Sequence, residues 1–367
     1  MPREVLRITS ISMALSWLVV VSIGGVASLL ALLVCWFFLG FGTEDSAKKH
    51  GISDTLSGRV GGVVVVGYTL TNLAYLSSTG SVSFDATLMA VAACCVGFFL
   101  LGLLEDLRGS TSAKLRLGLM LVVATYFVVS VPQLRLVSVN IPIIDKVLAV
   151  SPSIAIGFTS LCLAFLPNAF NTADGANGLV GGVSMLVLAT MAISLPGGLS
   201  LLQMSAAVGC AIFLVFNIQT GRFFLGDGGA YSLGALVGCS MIYANQNYPT
   251  ATWYLLSIVF YPIADLLWSM VRRFRSGVAV YEADNAHLHN LLHSYLRSRA
   301  WAAKSANNAT GIIIVTLFCL FPTLIRWFGF LGVDDMAWKY ILLSQGAVYL
   351  CAWQFLNKRA VDDALMN

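Results

Sequence analysis

Residues 153–195 read SIAIGFTSLCLAFLP, then NAFNTADGANG, then LVGGVSMLVLATMAISL. Two apolar runs flank a short stretch made largely of Asn, Asp, Gly and small residues. A hydrocarbon core about 30 Å thick takes about 20 apolar residues per spanning helix, and backbone in lipid must satisfy its own hydrogen bonds. The apolar runs therefore read as membrane helices and the polar stretch as a connection at one membrane face.

The same alternation continues along the chain. Apolar runs bounded by polar breaks cover 13–41, 60–78, 86–104, 117–131, 153–167, 179–195, 201–218, 229–245, 252–271, 310–331 and 338–356. The shorter ones, 117–131 and 153–167, suit tilted or re-entrant segments. The expected fold is all-α: a polytopic membrane protein of about eleven transmembrane helices, forming a single domain over residues 1–367. Composition agrees. Of 367 residues, 58% are apolar and 10% charged, and the mean hydropathy is +0.84. Those values exclude a soluble enzyme, a disordered chain and a disulfide-rich secreted module. All 8 Cys fall in apolar stretches without a CxxC pair, so they read as small buried residues. The first run exceeds the apolar core of about 7–15 residues found in a cleavable leader.

Eleven spans put the termini on opposite sides, and Lys and Arg decide the orientation. Loops 42–59, 105–116, 168–178, 219–228 and 272–309, with the tail 357–367, hold 15 of the 21 Lys and Arg. That face is expected to be cytoplasmic, with the N-terminus outside. It also holds all 4 His, His50, His287, His289 and His293, and most of the acids. The outer loops look short and bland. One decorated face suits an enzyme or docking site better than a symmetric conduit.

Four motifs on that face carry chemistry. Asn168, Asn171, Asp174 and Asn177 are spaced by three with glycines between them. Oxygen-bearing side chains at that spacing suit a hard cation, or a sugar and base edge. The plainer alternative is a helix cap and turn. An EF-hand loop fails, because the twelfth position from Asp174 is Met185. Asn217 to Gly229 includes Phe224-Leu-Gly-Asp227-Gly-Gly, where an acid in a Gly-rich turn can hold Mg²⁺ and meet phosphate. Glu105-Asp106 precedes Arg108, Lys114 and Arg116; adjacent carboxylates repel unless a cation or proton relieves them. Arg272, Arg273 and Arg275 precede Asp284-Asn-Ala-His287-Leu-His289.

Together these motifs resemble the polyprenyl-phosphate N-acetylhexosamine-1-phosphate transferases, a group in glycosyltransferase family 4. The resemblance runs in order from Lys48 to His293: Lys49-His50 with Arg59-Val-Gly-Gly, Glu105-Asp106, residues 168–179, Phe224-Leu-Gly-Asp227, and Asp284-Asn-Ala-His287-Leu-His289. Residues 294–367 then form a last cytoplasmic segment and two closing helices. The basic loop before the histidines and the span count look most like the branch that initiates O-antigen with undecaprenyl phosphate and N-acetylglucosamine 1-phosphate. Two positions depart from the family pattern: Glu105 stands where Asp is usual, and Asn290 where a third His is usual.

The resemblance implies a UDP-linked N-acetylated sugar as donor, a polyprenyl phosphate in the bilayer as acceptor, and Mg²⁺ as cofactor with Mn²⁺ as its substitute. It implies a bacterial inner membrane location and no nucleic-acid partner; a homodimer is compatible with it. Asp227 and Asn171 would contact the metal. Asn168, Asp174, Asn217 and Phe224 would line the uridine site, with Asn177 beside them. Glu105 and Asp106 would orient the acceptor phosphate or the metal, and His287, His289, Lys49, His50 and Arg59 would contact phosphates or sugar. Two other readings stay open. A transporter places ionisable groups in its spans, and here Asp265 is such an acid, set to pair with an arginine or to floor the site. An inactive lipid or nucleotide-sugar binder would keep the motifs without turnover.

The orientation predicts that cysteine labels at Ser46, Ala176 and Ser298 react only from the cytoplasmic side and one at Ser83 only from outside. Labelling of intact and opened vesicles with an impermeant maleimide checks this.

Overall fold

The computed structural model describes residues 59–80, 85–108, 112–221, 223–277 and 284–366. Every regular element among them is helical. The 13–41 run, Lys49, His50, Ser46 and Ser83 lie outside these residues.

Helices occupy the other ten apolar runs: α1 (Gly61–Ser78), α2 (Ala86–Arg108), α3 (Ala113–Ser130), then after the short outer helix α4 (Pro142–Leu148) come α5 (Pro152–Ala173), α6 (Leu179–Ser194), α7 (Gly197–Thr220), α8 (Gly226–Asn247), the pair α9 (Thr252–Ile258) and α10 (Phe260–Arg275), and, beyond α11 (Leu288–Ser298), α12 (Ala303–Val315) with α13 (Phe321–Trp327) and finally α14 (Trp338–Met366). By length and hydropathy, five are long and apolar enough to cross a membrane: α2, α3, α5, α7 and the continuous 303–327 segment. The α9–α10 pair, bent by 87°, makes a sixth if it counts as one span. The eleven-span expectation exceeds this because the 13–41 run lies outside the described residues, α6 has only 16 residues, and α1, α8 and α14 carry too many glycines or polar side chains to count on composition.

α8 is the central element. It is buried along nearly its whole length and packs on α2, α5 and α1. Such burial of a Gly-rich helix comes from backbone contact. A Cβ on Gly62 of α1 would stand 2.4 Å from Gly229, and one on Gly102 of α2 would stand 2.4 Å from the carbonyl of Asp227. Small residues let membrane helices approach this closely when the hydrophobic effect gives no drive between them. Three helices thus meet at the N-terminal end of α8.

Three boundaries differ from the sequence reading, and each moves a site residue. α5 does not stop before the polar stretch; it runs through Pro167 to Ala173. Asn168 and Asn171 are therefore helical, one turn apart on one face, and Asp174 is the C-cap. The Asn168 amide donates to Ala164 O one turn back (2.9 Å), adding a side-chain bond beside the proline. α8 begins at Gly226, so Asp227 lies in its first turn and not in an open loop. The outer segment 132–151 is built, not bland: a 3-10 turn at Pro132–Leu134 leads to α4, Asp145 accepts from Ser138 Oγ and Val139 N–H (3.0 and 2.7 Å), and Gln246 of α8 bonds Val137 and Ser138. Among the described residues the cysteines are buried as expected except Cys162, half-buried, and Cys351, exposed on α14.

Gly102→Ala is expected to force α2 off α8, costing about 1–3 kcal/mol as overpacking, with loss of any activity seated there. Gly67→Ala, on the same scale, should be neutral or slightly stabilising, because nothing lies within 4 Å of a Cβ there. Thermal midpoints of the two variants in detergent, compared with the parent, check this.

Candidate active site

The N-terminus of a helix carries backbone N–H groups without intrahelical partners. At α8 two of these are taken by a carboxylate from another helix. Asp106, at the end of α2, accepts from the N–H of Asp227 (3.1 Å) and of Gly228 (3.0 Å). Asp174, capping α5, lies beside them, where the Gly226 N–H favours its charged form. Gly226 makes this possible: its φ of +71° and the approach of Asp106 Oδ2, 2.8 Å from where a Cβ would be, both require glycine. The glycines of this stretch thus serve helix contact and carboxylate capping; the N–H groups of Asp227 and Gly228 are already occupied and do not wait for a phosphate.

Asp227 stands between these acids. Its Oδ1 accepts from Asn171 Nδ2 at 2.7 Å. Arg59 reaches Asp106 at 3.4 Å, and Arg116 of α3 lies 3.9 Å from Glu105. Asp106, Asp174, Asp227, Glu105, Asn171 and Arg59 therefore gather at one end of the bundle, as the motifs implied. Burial, then the charges of Asp227 and Asp106, push the Asp174 carboxyl up to about 7. A raised carboxyl binds its proton in the folded chain over pH values where the unfolded chain has released it. The metal-free protein therefore loses stability as pH rises from about 4 toward 7.

No three acid, His or Cys side chains among the described residues form a ready-made metal cage. Their chemistry nonetheless suits Mg²⁺, which is held by one or two carboxylates plus substrate phosphates and keeps its waters. Asp227, held by the Asn171 amide and standing among these acids, is the best-placed contact. Asn171 turns its nitrogen, not its oxygen, to Asp227.

The structure separates other expected site residues from this cluster. Asn177 and Asn217 are each 2% exposed and bind protein. Asn217 Oδ1 accepts from Gly178 N–H at 2.6 Å, and its Nδ2 donates to Phe223 O at 2.6 Å. Asn177 N–H donates to Asn307 Oδ1 and its amide to Asn308 Oδ1 (2.6 and 2.9 Å). Asn308 in turn donates to Ile218 O, and Lys304 to Gln219 O. These amides lock the two polar loops to α12. Asn307 and Asn308 went unnoticed in the sequence, although two adjacent amides entering an apolar helix were the available signal. Asn168 contacts Met120 Sδ on α3. Phe224 is half-buried, and its carbonyl accepts from Gly61 N–H at 2.9 Å. Ala176 is 3% exposed, so Ser298, which is exposed, is the usable label for the face expected to be cytoplasmic.

His287 and His289 are buried at 5% and 2%. His289 reaches the Asp174 loop: a Cβ on Gly175 would meet its Nε2 at 2.4 Å. The expected arginine partner of Asp265 is corrected here. Arg272 pairs with Asp284, not Asp265, and stacks on Trp353 at 5.1 Å. Burial alone would raise the Asp284 carboxyl, but bonds from Ala286 N–H, Ser269 and Arg272 outweigh it and hold it below the ordinary range. Asp265 instead binds His287, Leu288 N–H and Tyr349. A carboxylate so fully engaged is a poor carrier for a transported ion.

The titration of Asp174 gives a test. In chelator-treated protein the thermal midpoint should fall between pH 5 and 7.5, and Asp174→Asn should remove part of that slope. A differential scanning series across pH checks it.

Against known proteins, the model of glycosyl transferase family 4 matches residues 88–245, which takes in Asp106, Asn171, Asp174 and Asp227. The chain is 25% identical over 264 residues to a probable undecaprenyl-phosphate N-acetylglucosaminyl 1-phosphate transferase of Bacillus subtilis, covering 69% of this chain and 70% of that protein. It is 33% identical over 135 residues to an undecaprenyl-phosphate alpha-N-acetylglucosaminyl 1-phosphate transferase of Escherichia coli K12, covering 34% and 37%. It is 28% identical over 159 residues to a decaprenyl-phosphate N-acetylglucosaminephosphotransferase of Mycobacterium leprae, covering 35% and 40%. The chain thus spans well under half the length of the latter two. Its loop motifs and these likenesses agree, and residues 88–245 carry the likeness to glycosyl transferase family 4.

Proposed function

We propose that this protein transfers an N-acetylated sugar 1-phosphate from a UDP-sugar to polyprenyl phosphate, releasing UMP and starting a cell-envelope glycan such as O-antigen. The observation that carries this reading is the gathering of Asp106, Asp174, Asp227 and Asn171 at the start of α8, among helices of membrane-crossing length. The relatives' names supply the class of acceptor and of transferred group. The reaction is placed at the cytoplasmic face of a bacterial plasma membrane on the Lys/Arg distribution.

In the transfer, an oxygen of the lipid phosphate attacks the sugar-bearing phosphorus of the donor. The bond from that phosphorus to the bridging oxygen breaks, and UMP leaves with the electron pair. A phosphate monoester has a second pKa near 6, so the acceptor is mostly a dianion at neutral pH and needs no dedicated base. The obstacle is repulsion between anions, and catalysis rests on charge neutralisation and in-line positioning. Mg²⁺, when bound, supplies positive charge to the phosphate oxygens. Asp227 and Asn171 would hold it. Arg59, held beside Asp106, and Arg116, beside Glu105, add fixed positive charge at the same end of the bundle. Asp106 works through the α8 start, since its oxygens set where Asp227 stands.

Asp227→Asn should lower turnover by about 10²–10³ while leaving the fold intact; retention of a tenth of wild-type activity would make Asp227 a turn residue only. Asp106→Asn should lose more activity than Glu105→Gln, because Asp106 accepts two backbone N–H groups while Glu105, among the described residues, is paired with Arg116 at 3.9 Å. UMP release and lipid product mass, measured with polyprenyl phosphate, Mg²⁺ and a panel of UDP-sugars, read both. Sugar movement across sealed vesicles without UMP would favour a transporter.

A further inference from the structure

His287 and His289 sit at the N-cap and in the first turn of α11 with rings nearly parallel, 11° apart, and centroids 5.5 Å apart. The Nδ1 edges of both rings face one carboxylate. Asp265 Oδ2 lies 2.7 Å from His287 Nδ1 and 3.9 Å from His289 Nδ1. Tyr261 OH lies 2.9 Å from His289 Nδ1. The other oxygen, Oδ1, accepts from Leu288 N–H at 3.0 Å and from Tyr349 OH, on α14, at 2.7 Å.

Two Nδ1 edges that converge on one carboxylate leave the Nε2 edges on the far side. For His289 that side is the backbone of Gly175, next to Asp174. A carboxylate 1% exposed is costly to bury unless hydrogen bonds occupy both oxygens, and here they do. Which nitrogen of an imidazole carries the proton is set by the partner of the other. A carboxylate at Nδ1 makes that nitrogen the donor.

We propose that Asp265 is a positioning residue of this site: with Tyr349 it fixes the ring orientation and tautomer of His287, so that the histidine pair turns its Nε2 edges to the Asp174–Gly175 loop and to an anionic phosphate oxygen of the nucleotide donor. The phosphate ligand rests on the transferase reading above; the ring geometry does not. The Tyr349 hydroxyl thereby joins α14 to the site, beside the Trp353 indole that donates to Ala286 O at 2.8 Å.

The test is ¹⁵N-histidine NMR of the full chain in nanodiscs, where 4 His give few signals, alongside steady-state kinetics. The wild type should show a strongly deshielded Nδ1–H proton for His287, assigned with His287→Gln. Asp265→Asn should abolish that signal, and Tyr349→Phe should shift it. Turnover of Asp265→Asn should drop about 10–100-fold, the usual cost of losing a partner that orients a functional histidine, and Asp265→Glu should recover part of it. If Asp265→Asn does not fold, Tyr349→Phe, which removes one hydroxyl, decides. An unchanged His287 signal in a folded variant, with turnover per folded molecule within twofold of wild type, overturns the proposal. A wild type that makes no UMP overturns the transferase reading instead, and the NMR result still stands for or against Asp265.

Discussion

A helix start offers backbone N–H groups that something must satisfy, and at α8 that something is a carboxylate from another helix. Asp106 takes the N–H groups of Asp227 and Gly228, and Asp174 lies close enough to feel the charges of Asp106 and Asp227. The helix dipole favours acids at this position, by about 0.3–1 kcal/mol each where exposed and up to about 2 where partly buried. That attraction helps α8 to tolerate three carboxylates in one place. It also ties α2, α5 and α8 together at the point where a third acid, Asp227, is held out for other use.

Close approach is the condition for this arrangement. Gly62 against Gly229, and Gly102 against Asp227, leave no room for a Cβ. Side chains there would move the acids apart by more than a hydrogen bond can follow. The polar loops are secured differently, by amides. Asn177, Asn217, Asn307 and Asn308 bond to one another and to loop backbone. A buried amide with all its partners is a rigid joint, and one with a partner missing costs about 1–3 kcal/mol. The motif that looked like a row of ligands therefore divides into two kinds of residue. Asn171 and Asp174 face the acid cluster, while Asn177 holds the loop that carries them.

The electrostatics suit phosphate chemistry with a cation and oppose it without one. Asp174 is pushed up to about 7, first by burial and then by the negative charge of Asp227 and Asp106. A divalent ion, or a proton, relieves it. On the other side of the Asp174 loop, the His289 ring lies against Gly175 and offers a nitrogen next to the acids.

Hydropathy was enough to show a helical membrane protein, because each span must satisfy its own backbone and this leaves a long apolar run. The Asn, Asp, Gly and His motifs were legible for the same kind of reason: polar residues beside apolar runs are costly without a purpose. Periodicity could not show that α5 continues past Pro167 or that α8 starts at Gly226, since both boundaries depend on partners far away in sequence. Nor could it show that Asp265 pairs with His287 and Tyr349, 22 and 84 residues off, and not with the arginines nearby. The residue types and their order came from the chain itself. Which of them meet a ligand and which hold another residue in place was decided by tertiary packing, because a hydrogen bond is directional and only the folded chain determines which donor reaches which acceptor.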